Sequence, residues 1–176
     1  MDITRSLAAT VLAGVAVVAL AADKKLEPAP PDKAVVYIGK MNAFVGGAYP
    51  IHFFADDRYV ARVKGKKYVR LEVEPGDHLF WVAFQARRTF VKANVEAGRS
   101  YALYAKLGGE LLPITRESDD WREFAGMLRG EKPYVYDEKD IEEWRQGQPH
   151  YIETALAEWK AAGEPAVKLM PDENVD

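Results

Sequence analysis

Between Ala34 and about Leu107 the chain is a succession of short β-branched and aromatic runs, each closed by turn residues, and this punctuation leaves few folds open. AVVYI comes first. IHFFA and RYVARV flank Asp56-Asp57, a pair suited to a tight turn. YVRLEVE alternates strictly, with Val69, Leu71 and Val73 on one side and Arg70, Glu72 and Glu74 on the other. Pro75-Gly76-Asp77 then reverses the chain, because Pro presets φ and Gly accepts positive φ. HLFWVAF is apolar on both faces, the pattern of a strand in the middle of a sandwich. TFVKANV and YALYAKL follow, joined through Glu96-Ala97-Gly98-Arg99. Seven strands at this spacing predict a mainly β protein, an antiparallel β-sandwich over residues 34–115, with Leu111–Ile114 as an eighth strand. The inward set is Val36, Phe53, Val60, Leu71, Val73, Trp81, Val91 and Leu103.

From residue 116 the period changes, and 116–176 reads as an acidic helical C-terminal extension with two or three α-helices over 118–162. Ser118 is placed as an N-cap before Trp121, Phe124, Ala125 and Leu128 at helical spacing, with Gly130 ending the run. Asp137 caps a second helix containing Ile141 and Trp144, which stops near Gly147. Pro149 opens a third, with Ile152, Ala155, Leu156 and Trp159 as its apolar stripe and Gly163 as its end. The closing LMPDENVD reads as frayed.

The beginning of the chain has a different logic. Arg5 precedes an uncharged run from Leu7 to Leu20, which closes on Ala19-Leu20-Ala21 before charge resumes at Asp23. These are the charged, apolar and small-residue parts of a secretory signal peptide over 1–21, cleaved near Ala21. The run is shorter than the roughly 20 apolar residues a membrane span wants, although an uncleaved anchor is the alternative. Residues 22–33 are charged and Pro-rich, an exposed linker. The expected location is periplasmic or secreted. With no cysteine, disulfides, thiol catalysis, thiolate metal sites and a lipidated cysteine are all excluded.

VVYIGK, IHFFADDRYVARV, KYVRLEVEPGDH and EAGRSYALYAK together resemble the bacterial domain-of-unknown-function family 2846 over roughly residues 34–115. The resemblance implies an exported sandwich similar to the small PEGA-type domains of bacterial envelopes. It implies no catalytic residues. Two positions depart from the family pattern: Arg58 stands where the turn usually has Gly, and there is no cysteine for a lipid anchor.

Catalytic signatures are missing. His52, His78 and His150 share no metal-ligand spacing, so no metal or other cofactor is expected. Ser100 lies in GRSYA, which lacks the second Gly of a nucleophile elbow. Gly65-Lys66-Lys67 lacks the Gly-rich lead-in of a phosphate loop. Acidic pairs such as Asp56-Asp57 and Glu142-Glu143 are adjacent in sequence, whereas glycoside hydrolysis needs two carboxylates flanking a cleft. The strand aromatics read as core, but Phe44 and Tyr49 sit in the Gly-rich loop MNAFVGGAYP, where binding is a competing role.

Charge is divided along the chain. Residues 33–107 hold 13 basic and 6 acidic side chains, and residues from Gly108 onward hold 8 basic and 17 acidic. If consecutive strands alternate in direction, turns after odd-numbered strands share one end of the sandwich. That end receives Lys40, Lys64, Lys66, Lys67, Arg87, Arg88 and Lys106, while Asp56, Asp57, Glu74, Asp77 and Glu96 gather at the other. Lys64, Lys66, Lys67, Arg87 and Arg88, beside Phe44 and Tyr49, are therefore the candidate ligand-binding patch. Two explanations stand: the basic end draws an anionic envelope component or another envelope protein, or the acidic tail folds back over it. Nucleic acid is not an expected partner of an exported chain with a net charge of −3. The functional expectation is an exported, non-enzymatic envelope-associated binding or scaffolding module; the alternative is an enzyme acting on cell-wall carbohydrate through paired carboxylates. Mass spectrometry of the native protein checks the leader: the expected N-terminus is Ala22, and intact Met1–Ala21 in a membrane fraction would mean a retained anchor.

Overall fold

A computed structural model describes residues 26–41 and 49–176; the expected leader and Phe44 lie outside the described residues. Eight strands fill the region expected to be β: β1 (Ala34–Lys40), β2 (Ile51–Ala55), β3 (Arg58–Val63), β4 (Lys67–Val73), β5 (Gly76–Phe84), β6 (Arg87–Val95), β7 (Ser100–Ala105) and β8 (Leu111–Ile114). A ninth, β9 (Val167–Leu169), comes from the tail. One sheet has the order β4-β1-β7-β8 and the other β3-β2-β5-β6-β9.

The sandwich is mixed rather than purely antiparallel. The consecutive pairs β2–β3, β5–β6 and β7–β8 are antiparallel, but β1 pairs in parallel with β7 and β6 with β9. Parallel neighbours arise where strands distant in sequence meet, which turn chemistry cannot foretell. Thr89 at the start of β6 donates its hydroxyl to the Gly109 carbonyl between β7 and β8, so direction alternates from β1 to β8 and the C-terminal ends of β1, β3, β5 and β7 share one end of the sandwich. In the turn after β2, Asp56 takes the left-handed conformation at φ 55°, one that Asp tolerates, so Arg58 has no need to be Gly.

Both faces of both sheets are apolar, and this determines the layers. Between the sheets lie Val36, Ile38, Phe53, Phe80, Val82, Val91 and Leu103, all fully buried. The outer face of the first sheet presents Val35, Tyr37, Tyr68 and Tyr104 to Phe124, Met127 and Leu128 of α1 (Trp121–Gly130). The outer face of the second presents Phe54, Tyr59, Trp81 and Phe90 to α2 (Glu138–Gly147) and α3 (Tyr151–Ala161). The order is helix, sheet, sheet, helices.

Of the expected inward set, Val36, Phe53, Val73, Val91 and Leu103 are in the central core, and Val60 and Leu71 pack against it partly buried. Trp81 does not belong there. It points outward, stacking on Phe54 at 3.7 Å and donating its indole N–H to the Asp56 carbonyl at 3.0 Å. A run apolar on both faces carries no parity information; pairing of Phe54 with Trp81 decides which face each residue takes.

Helix ends divide the same way. Asp137 accepts from the Lys139 N–H as an N-cap, as expected. Ser118 does not cap α1: its hydroxyl accepts from the Thr115 N–H one turn earlier, and the helix starts after Asp120. Nor is the C-terminal stretch frayed. Leu169 and Val175 are buried, and the Asp176 carboxylate accepts from the Ser100 N–H at 2.9 Å. β9 covers β6, which would otherwise be a free edge.

At Gly39 the side chains of α1 lie directly on the sheet. A Cβ there would sit 2.4 Å from Met127 Cε and 2.6 Å from Phe124 Cε2. Gly39→Val is expected to lower stability by about 1–3 kcal/mol through overpacking. Gly126→Ala, in the same helix and facing open space, should be neutral or stabilising by up to about 1 kcal/mol. Urea denaturation of both variants checks the contrast.

Candidate binding cleft at the basic end

A bulge in β3 creates the site. Phe53 pairs with Ala61 and Phe54 with Tyr59, so Val60 is an extra residue without an opposite number. Tyr59 and Arg62, three apart, therefore share the outer face with His52 and Phe54 instead of alternating. Trp144 of α2 stacks on Tyr59 at 3.9 Å with the rings 11° from parallel, which holds the helix over β3. Upstream of α2, the Tyr134 N–H donates to the Tyr68 carbonyl at 2.7 Å and ties residues 132–136 to the edge of β4.

These contacts leave a cleft of about 680 Å³ between sheet and helix. Its sheet side carries His52, Arg62, Lys64 and Lys67, and its helix side carries Asp140 and Glu143. Tyr134, Tyr136 and Trp144 supply aromatic surface between them. Lys67 lies over the Tyr134 ring at 4.7 Å, a cation–π contact. Among the described residues no ion pair joins the two walls; Glu143 instead meets Lys139 on its own helix at 3.7 Å.

His52 sits at the junction of cleft and core. Its Nδ1 is 3.0 Å from the Tyr59 hydroxyl. Burial, with the Arg62 charge adding to it, pushes the imidazole down to about 4, so the ring is neutral at pH 7. Burial likewise pushes the Tyr59 phenol up, so it keeps its proton, and the imidazole tautomer sets which of the two groups donates.

At the opposite end, His78 makes a different arrangement. Its Nδ1 is 2.8 Å from Asp56 Oδ2 and its Nε2 is 2.7 Å from the Glu74 carbonyl. Asp56 Oδ1 also accepts from the Leu79 N–H. Both ring nitrogens are taken, so the His–Asp pair clamps the β2–β3 turn onto β5 and has no nitrogen left for a substrate. No group of three or more His, Asp or Glu suited to a metal occurs among the described residues.

The sequence-expected patch is divided by the structure. Lys64 and Lys67 meet in the cleft, joined by Arg62, which sequence reading passed over because strict alternation hides a bulge. Lys66 turns to the other outer face and pairs with Glu123 at 3.2 Å. Arg88 pairs with Glu158 and lies over the Tyr151 ring at 5.0 Å. Arg87 is exposed at the start of β6. Tyr49 lines a neighbouring hollow of about 390 Å³ that shares His52 and Trp144 with the cleft. Lys40 is buried, donates to the Tyr49 carbonyl at 2.8 Å, and is held below its ordinary range by burial.

No protein-family model matches the chain, and no curated protein matches it.

The His52 environment has a measurable consequence. Between about pH 6.5 and about 4 the unfolded chain binds a proton at residue 52 that the folded chain refuses, so stability falls as pH falls through that window. His52→Gln removes this increment. Urea denaturation of both forms at pH 7 and pH 5 should show the wild type losing more stability on acidification than the variant; equal losses would contradict the assignment.

Proposed function

We propose that the protein is an exported, non-enzymatic binding module of the cell envelope, whose ligand places an anionic group in the cleft at the basic end. One observation supports this above the others. The acidic tail answers some bases of that end, through Lys66–Glu123, Arg88–Glu158 and Lys106–Asp120, yet Arg62 and Lys64 stay exposed without a carboxylate partner among the described residues. The tail thus neutralises the flanks of the basic end, and the bases it leaves unanswered in the cleft support an anionic ligand there.

The chemistry of the cleft supports binding over hydrolysis. Asp140 and Glu143 come from one face of one helix, three residues apart, instead of flanking a space from two sides. His52, neutral and hydrogen-bonded to Tyr59, has no carboxylate bonded to its ring among the described residues. Export rests on the leader and on the resemblance to family 2846, which belongs to the same proposal.

Removing the tail would be a poor test, because α1, α2 and α3 cover two apolar faces. Charge reversal at exposed positions leaves packing intact. Titration with phosphatidylglycerol vesicles, polygalacturonate and a glutamate-rich peptide should give salt-sensitive binding to at least one probe. The double variant Arg62→Glu/Lys64→Glu is expected to weaken it about tenfold or more, and Arg87→Glu to leave it nearly unchanged. Absence of wild-type binding to every probe that carries an anionic group, dipolar ones included, would overturn the proposal.

A further inference from the structure

The acidic wall of the cleft is not explained by an anionic ligand. Asp140 and Glu143 are both exposed, and both line the same space as Arg62, Lys64 and Lys67. Opposite charges so placed ordinarily close on one another. Here no pair across the cleft comes within 4.0 Å among the described residues, because Trp144 stacked on Tyr59 and the Tyr134 backbone bonded to Tyr68 hold the walls apart. The separation is built by packing.

We propose that the ligand is dipolar: a peptide segment carrying a carboxylate and an ammonium, the carboxylate against Arg62, Lys64 and Lys67 and the ammonium against Asp140 and Glu143. This rests on the reading of the cleft as a binding site and specifies its ligand. A neutral sugar hydrogen-bonds charged side chains through its hydroxyls but leaves both charged walls uncompensated. A polyanion would satisfy one wall and be repelled by the other. A dipolar segment matches both and lays its apolar part on Trp144 and Tyr136. The roughly 680 Å³ available is of the size that small-molecule sites have. His52, neutral at pH 7, adds hydrogen-bonding capacity without upsetting the charge balance.

Three probes separate the terms: acetyl-Lys-Ala-Ala, which carries one ammonium and one carboxylate; its C-terminal amide, which lacks the carboxylate; and its Nε-acetyl form, which lacks the ammonium. Calorimetric titration of the wild type should show the dipolar peptide binding about tenfold tighter than either neutralised form. Asp140→Lys/Glu143→Lys should lose that margin for the ammonium, while binding a glutamate-rich peptide more tightly than the wild type does. Arg62→Glu/Lys64→Glu should lose the margin for the carboxylate. All four positions are exposed, and circular dichroism verifies folding of each variant. Equal or tighter binding of every probe by the acid-wall variant would overturn the dipolar assignment and leave an anion-binding module. A wild type that binds the anionic probes but none of the peptides would do the same. Failure of all probes on the wild type would remove both proposals together.

Discussion

The whole structure depends on one constraint: each sheet is apolar on both faces, and a two-layer sandwich buries only one face of each. Tyr37, Tyr68 and Tyr104 on one outer side, and Phe54, Tyr59, Trp81 and Phe90 on the other, would be left in water. Hydrophobic burial at roughly 25 cal/mol per Å² makes covering them the largest available gain once the sandwich exists. The tail provides the cover, so the helical segment is part of the core and not an appendage. Without cysteine, nothing covalent substitutes for this packing.

Covering the second sheet positions the cleft. Trp144 needs a flat aromatic partner, and the bulge at Val60 turns Tyr59 outward to provide one. Once α2 is seated there, Asp140 and Glu143 face the bases of β3 and β4 across a gap that the same contacts keep open. The tail's acids elsewhere meet Lys66, Arg88, Lys92 and Lys106 in largely exposed pairs. Such pairs contribute about 0–1 kcal/mol each, so they orient the helices that the apolar contacts hold.

The two half-buried histidine arrangements follow from the same packing and do different work. His78 is saturated by Asp56 and the Glu74 carbonyl and fixes a turn. His52 is forced neutral beneath a layer of rings and remains a hydrogen-bonding group at the edge of the cleft.

By itself the sequence determined the β segments, their turns and the alternation of chain direction, because these follow from local propensity, period and Pro-Gly or Asp chemistry acting over a few residues. It determined the Asp137 cap and the end of α2 for the same reason. It also gathered Lys64 and Lys67 at one end, since parity needs only a correct strand count. Tertiary structure decided what local signals leave degenerate. A run apolar on both faces could not say that Trp81 points outward, and a three-residue strand such as β9 is too short to have a period. Arg62 entered the cleft through a bulge that exists only because β2 and β3 pair in one register. The acidic wall was invisible for a deeper reason. Asp140 and Glu143 look like any solvated helix face until the burial of Trp144 places that helix opposite three bases.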